Sequence, residues 1–380
     1  MATVATVSAG SPYQENPLKP ILFAATYTRD EGWINGTGKG IYTYQFDTTT
    51  GSLTPWAVTP VGINPIFVLS TTKVFSTGQR VIYAINAVNE NSAKLPGTQT
   101  GYVSALTLQH DGTLKLLNTL ETLGGSPTHI SLSPKQDHII VSCYGGSLTM
   151  FPLKHDGSLG DANFHQAFKQ SDEIKSIIHS ATWLVNSNHV VVANLGTDEL
   201  LQYNFDVENQ DLKPLKPVKV AAGSGPRHMV VNPNGKVAYV VNEVANTIDV
   251  LSVDKASKLL KSPSIQTITT LPADFKAPST SAEIVLSKNG KFIYSSNRGQ
   301  DSIAIFKVNE NDGTLTLVGF ESSRGKGPRG FTIYGDWLIV TNQNSDDMYV
   351  FKVDSTTGLL QCTGKSYKIN TAVCLHVAEF

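Results

Sequence analysis

Arg227 and His228 are adjacent, and Glu243 follows them across two β-branched runs joined by the turn Pro233-Asn234-Gly235. An antiparallel hairpin of that length returns Glu243 to the level of Arg227 and His228. The same spacing sets His179 against the Asn194 end, Glu283 against Asn297 and Arg298, Arg329 against Asn342 and Gln343, and His129 against Cys143 and Tyr144. A guanidinium offers a planar fork matched to carboxylate or phosphate. A glutamate or histidine beside it can act as general base, with its pKa set by burial and neighbouring charge. Gathered on one rim, these residues could bind an anionic substrate and move a proton. Nothing in the set requires a metal or a cofactor.

The elements that must position them recur along the chain. Each copy is a turn, a short apolar run, a polar loop, a second alternating run, then Asp or Asn with Gly and Leu. Copies pair Ile21-to-Tyr27 with Ile41-to-Phe46, Val81-to-Asn86 with Gly101-to-Leu108, and His138-to-Cys143 with Ser147-to-Leu153. Four more follow, starting at Val190, Val237, Phe292 and Trp337. A period of roughly 45 to 55 residues is that of propeller blades rather than helical repeats. The expected fold is therefore all-β, a seven-bladed β-propeller over residues 21–380, after a flexible lead-in over 1–20. A further strand precedes each copy except the first, and the tail from Asn370 to Phe380 holds one alternating segment to spare. The C-terminal strand is expected to close the ring against the N-terminal blade, removing exposed sheet edges.

The bulk properties narrow the partners. With 30 Lys and Arg against 31 Asp and Glu, the chain has no net field to attract a polyanion, which argues against nucleic acid. No apolar stretch approaches the roughly 20 residues of a membrane-spanning helix, and the N-terminus lacks the basic start and apolar run of a signal peptide. The three cysteines, Cys143, Cys362 and Cys374, have no metal-ligand spacing. They read as reduced thiols of a cytoplasmic protein, whose oligomeric state the sequence leaves open.

Gly225-Pro226-Arg227-His228, Asn242-Glu243, Ala282-Glu283-Ile284, Ser296-Asn297-Arg298-Gly299 and Asn342-Gln343 occur in this order, blade by blade. Pro127-Thr128-His129, Tyr144-Gly145-Gly146 and Leu195-Gly196-Thr197-Asp198 agree with them. Together they resemble the seven-bladed propeller lactonase family, which holds 6-phosphogluconolactonases and carboxymuconate cyclases. The resemblance implies cofactor-independent chemistry on a small anionic lactone or carboxylate. Hydrolysis of a sugar lactone of the 6-phosphogluconolactone type is the leading expectation. Lactonising cycloisomerisation of a carboxymuconate and a non-catalytic binding platform are the alternatives. Glu243, His179 and His228 are the expected catalytic residues, and Arg227, Arg298, Asn297, Asn342 and Gln343 the expected substrate-binding ones. Ser176 and Ile177 stand where the family usually carries a Pro-His pair, a departure that bears on the substrate and on activity.

Each assignment has a plainer counterpart. Arg227 and Arg298 could tie adjacent blades through carbonyls or a buried carboxylate such as Glu243, and rim histidines can satisfy loop carbonyls. His129 and Glu283 read as supporting rather than catalytic, and Asp198 and Asp301 as turn caps. The glycine-rich stretches 223–225 and 325–327 open no helix, so they read as turns between blades rather than phosphate loops.

Overall fold

A computed structural model describes residues 20–380, in which no residue is helical. The lead-in expected over 1–20 therefore lies, apart from Pro20, outside the described residues. The strands form seven four-stranded antiparallel sheets, arranged in a ring as the seven blades of a propeller. Counting from the channel outward, the innermost strands are Pro65–Ser70, Pro127–Leu132, Ile178–Trp183, Pro226–Val231, Thr280–Leu286 and Pro328–Tyr334 in blades 2 to 7. Blade 1 takes its innermost strand, Ala372–Glu379, from the end of the chain, paired with Pro20–Thr26 from Pro20↔Glu379 to Thr26↔Ala372. The ring is closed as the spare tail segment implied.

Period-two alternation places the core between blades, not within them. In the second strand of blade 5, Val237, Tyr239 and Val241 pack toward blade 6, with Ile293 and Phe306. Ala238 and Val240 of the same strand face blade 4, with Val191 and Leu200. A strand covered on both faces reads as a continuous apolar run, which is why Val237–Asn242 and Trp337–Asn342 are buried throughout. One apolar cluster fills each seam, that between blades 6 and 7 being built on Phe292, Tyr294 and Phe351.

A repeated hydrogen bond stitches the outer part of several seams. The hydroxyl of Tyr83 donates to the Gly157 carbonyl at 2.7 Å, Tyr239 to Gly313 at 2.9 Å and Tyr294 to Gly358 at 2.8 Å. Each acceptor lies in the turn between the two outer strands of the next blade. Gly313 and Gly358 adopt φ of 79° and 78°. A Cβ there would fall 2.6 Å from Val237 and 2.4 Å from the Phe292 ring, so glycine is required by both conformation and contact.

A second repeated device links each of blades 4 to 7 to the lead-in of the next. Asp198, Asn246, Asp301 and Asp346 occupy matching turns with φ of 53–56°, a region Asn and Asp tolerate best among residues with a side chain. Asp198 accepts the backbone N–H of Gly223 and of Gly225, both at 2.7 Å. Asp301 accepts from Gly327 at 2.8 Å, Asn246 donates to the Ser279 carbonyl at 2.8 Å, and Asp346 accepts from Thr371 at 2.8 Å.

Candidate active site

In the register of six innermost strands, one residue near the start has no partner on the second strand; in blade 6 there are two. The unpaired residues are Ile66, Thr128, His179, Arg227, Arg329 and Val373, with Ala282 and Glu283 in blade 6. Such a β-bulge breaks strict alternation and re-aims a side chain. It lets Arg227 and His228, consecutive in the chain, both reach the same buried cluster. One level above, residues at or just after the end of second strands supply the other half of the rim, including Tyr27, Tyr144, Glu243 and Arg298.

These two tiers enclose a cavity of about 510 Å³ lined by Tyr27, Trp33, Thr128, Tyr144, His179, Glu243, Arg298 and Arg329, among others. A larger cleft of about 570 Å³, beside Trp56 and Arg80, has no comparable convergence of charged groups. At the first cavity Glu243 is the hub. Its Oε1 lies 2.8 Å from Arg298 Nη2, which also donates to the Ser281 carbonyl at 3.1 Å, and its Oε2 lies 3.0 Å from Arg227 Nε. The second contact is close enough for an ion pair, but the Arg227 Nε–H is not aligned as a hydrogen bond. Burial pushes the Glu243 pKa up, yet Arg227, Arg298 and Arg329 outweigh it and leave the group below the usual carboxylate range.

His179 is 3% exposed and its Nε2 lies 3.9 Å from Glu243 Oε2, too far for a direct hydrogen bond. Burial, reinforced by Arg227, holds its pKa well below the ordinary value, so the ring is neutral near pH 7. Its Nδ1 has no protein partner. The bulge that exposes His179 survives the departure at Ile177, because the Ile177 N–H donates to Asn194 Oδ1 at 2.9 Å and its carbonyl accepts from Leu195. Strand pairing here depends on the backbone of residue 177, not on its side chain.

Arg227 and His228 lie behind Glu243 and do not line the cavity. Arg227 is 3% exposed, donates through Nη1 to the Ala282 carbonyl at 2.6 Å, and rests against both ring nitrogens of His228 at 3.2 and 3.3 Å. His228 Nδ1 is bound to Glu283 Oε1 at 2.8 Å. His129 packs edge-on against His228 with ring centroids 5.3 Å apart. Arg227 is thus held inside the protein through Nη1, with its Nε facing Glu243.

Asn297 and Asn342, expected to bind substrate, lie off the cavity wall, and their amide nitrogens bind the scaffold. Asn297 Nδ2 donates to the Thr270 carbonyl at 2.7 Å and Asn342 Nδ2 to the Ser323 carbonyl at 3.0 Å. Asn86 does the same for the Ile63 carbonyl at 2.9 Å, so the asparagine closing these second strands anchors the incoming linker. Gln343 also lies off the cavity wall. Arg329, Tyr27, Trp33 and Tyr144 line the cavity without having been singled out as binding residues. For Arg329 a signal existed, since Gly327-Pro328-Arg329 repeats Gly225-Pro226-Arg227.

No group of three or more His, Cys, Asp or Glu side chains among the described residues has the arrangement of a metal site, and no helix among them is long and apolar enough to cross a membrane.

The ring and this rim define a seven-bladed propeller with a charged cavity at one mouth of the channel. The chain matches the sequence model of the family described as lactonase, 7-bladed β-propeller, over residues 21–377, and it belongs to that family. It is 29% identical over 365 residues to 6-phosphogluconolactonase of Bacillus subtilis, covering 94% of this chain and 98% of that one. A 6-phosphogluconolactonase of Serratia proteamaculans is 33% identical over 258 residues, 67% of this chain and 75% of its own length. The solved structure of a periplasmic gluconolactonase of Pseudomonas aeruginosa superposes with a TM-score of 0.81 at 25% identity, covering 94% of this chain and 99% of the other. These relatives support a lactone hydrolase acting on a small lactone.

Proposed function

We propose that the protein hydrolyses a sugar lactone of the 6-phosphogluconolactone type without a cofactor, at the Glu243, Arg298 and His179 cluster. The observation that carries this reading is an ionised carboxylate fixed between two guanidiniums beside a neutral, buried imidazole on one cavity wall. Water adds to the lactone carbonyl and gives its proton to neutral His179, while Glu243 orients the water. Arg298 stabilises the oxyanion that develops. Collapse of that intermediate breaks the ring C–O bond, and the proton passes to the departing ring oxygen, leaving a hydroxy acid. Arg227, held by the Ala282 carbonyl and His228, keeps Glu243 in place.

Small size and negative charge are the features of a partner that this cavity suits, and the near-zero net charge of the chain offers nothing to nucleic acid. Cys143, Cys362 and Cys374 are all unpaired, as in a reducing cytoplasm.

The test is turnover of freshly prepared lactone, followed by acid release at constant pH, for wild type, Arg298→Ala and His179→Gln. Each substitution should lower kcat by about 10²-fold or more. Equal rates in all three, or no turnover above the spontaneous rate, would remove the assignment.

A further inference from the structure

Arg298 and Arg227 both serve Glu243. Arg329 does not: it lines the same cavity, yet among the described residues no carboxylate lies within ion-pair distance of it and its side chain makes no hydrogen bond. What holds it is aromatic. Its guanidinium carbon lies 5.9 Å from the Tyr27 ring centroid and 5.7 Å from that of Trp33, within the range of cation–π attraction. The two rings meet edge to face at 5.2 Å and 85°. Ring faces fix a guanidinium without consuming its N–H donors, of which arginine has five.

The loop that presents Trp33 is braced. Asn64 Oδ1 accepts the N–H groups of Thr28 and Arg29 at 2.9 and 3.1 Å, and Gly38 N–H returns to the Tyr27 carbonyl at 2.8 Å. The nearby Glu31 carboxylate is engaged by Arg29 at 2.8 Å. Trp33 is nonetheless 61% exposed, a large ring standing at the mouth.

Charge points the same way. Around the cavity Arg29, Arg227, Arg298 and Arg329 face Glu31, Glu243 and Glu283, so one positive charge is left uncompensated beside neutral histidines.

We propose that Arg329, set on Tyr27 and Trp33, forms a second subsite that binds an oxyanion carried by the substrate away from its reacting carbonyl. The proposal rests on the lactonase reading for its substrate but not for its anion site. It makes Arg329 a specificity residue, one that rewards a phosphorylated or carboxylated lactone over a neutral one.

Two measurements on the full chain test it. The first is calorimetric titration with inorganic phosphate and with acetate; the second is the ratio of kcat/KM for 6-phosphogluconolactone over gluconolactone. Arg329→Gln should weaken anion binding and lower the ratio by about tenfold or more, as loss of a charge-assisted contact does. Arg329→Lys should restore part of both, and Trp33→Ala should weaken both less than Arg329→Gln. Unaltered thermal unfolding of the variants shows that the fold persists. A wild type that turns over neither lactone, yet loses phosphate on Arg329→Gln, would retain the subsite and sink the lactonase reading. An unchanged ratio, with anion binding absent or unaffected by Arg329→Gln, would overturn the proposal.

Discussion

Glu243 of blade 5 and Arg298 of blade 6 meet across the seam between their blades, carboxylate to guanidinium at 2.8 Å. The same carboxylate faces Arg227 of its own blade. One carboxylate therefore faces two largely buried cations, and its removal leaves neither with a carboxylate at ion-pair distance.

Glu243→Gln should consequently lose stability as well as activity, by roughly 3 kcal/mol, the scale of breaking a buried pair. Urea unfolding measures it. Combining Glu243→Gln with Arg227→Met should recover part of the loss, since the stranded cation is gone. Equal midpoints for wild type and the single variant would contradict the arrangement.

The histidines set the response to acid. Burial and neighbouring positive charge hold His129 and His179 well below their ordinary pKa, and burial pushes His376 down to about 4. The unfolded chain takes up protons near pH 6.5 while the folded rings stay neutral, so acid favours unfolding. Stability should be greatest above pH 7 and fall below about 6.5, by up to about 1.4 kcal/mol per pH unit for each histidine. The contribution of His376 is fully lost near pH 4. Glu243 and Glu283, with pKa values lowered in the fold, add stability at neutral pH that is lost further into acid. A urea midpoint unchanged between pH 7.5 and 5 would contradict this.

Asp198 should suffer less from Asn, which keeps one acceptor oxygen and the backbone conformation, than from Ala. Asn246 fills the matching turn one blade on with nearly the same φ, whereas alanine loses both N–H contacts and strains the left-handed backbone. Thermal unfolding should show a loss of about 2 kcal/mol for Asp198→Ala and clearly less for Asp198→Asn. Equal losses would mean that the turn does not depend on its side-chain oxygen.

Tyr294→Phe strips the Gly358 carbonyl of its buried donor and should cost about 1–2 kcal/mol. Tyr83→Phe does the same in a different seam with no shared partner, so the two losses should add in chemical denaturation. A double variant no less stable than either single one would show that the seams do not hold independently.

The architecture was legible because every blade repeats the same apolar phrase, and a second strand buried on both faces leaves an unbroken signature such as Val237–Asn242. Repetition also misled. Asn297 and Asn342 looked like binding groups at strand ends, but an asparagine recurring at the equivalent place, as at Asn86, Asn194 and Asn242, marks scaffold. The cavity wall begins where the pattern departs, at the next residue, where Glu243 and Arg298 stand. Hairpin spacing sets Arg227 beside Glu243, and the ring brings Arg298 of the next blade to the same carboxylate. That spacing did not separate Arg227, behind the wall, from Arg329, on it, because the bulge preserves no period that alternation can register. The aromatic seat of Arg329 joins blades 1 and 7, a contact between residues far apart in the chain that local pattern does not encode.

The strand pairing Pro20–Thr26 with Ala372–Glu379 has a kinetic corollary. Blade 1 stays incomplete until the six others exist, so assembly must end where the described chain both starts and finishes. Until then a growing polypeptide carries an open flank able to pair with the wrong partner. Once shut, Pro20–Thr26 and Ala372–Glu379 hold each other through seven paired positions, against four for the outer strand Phe164–Ala167. Slow opening of that splice would therefore prolong the life of the native molecule.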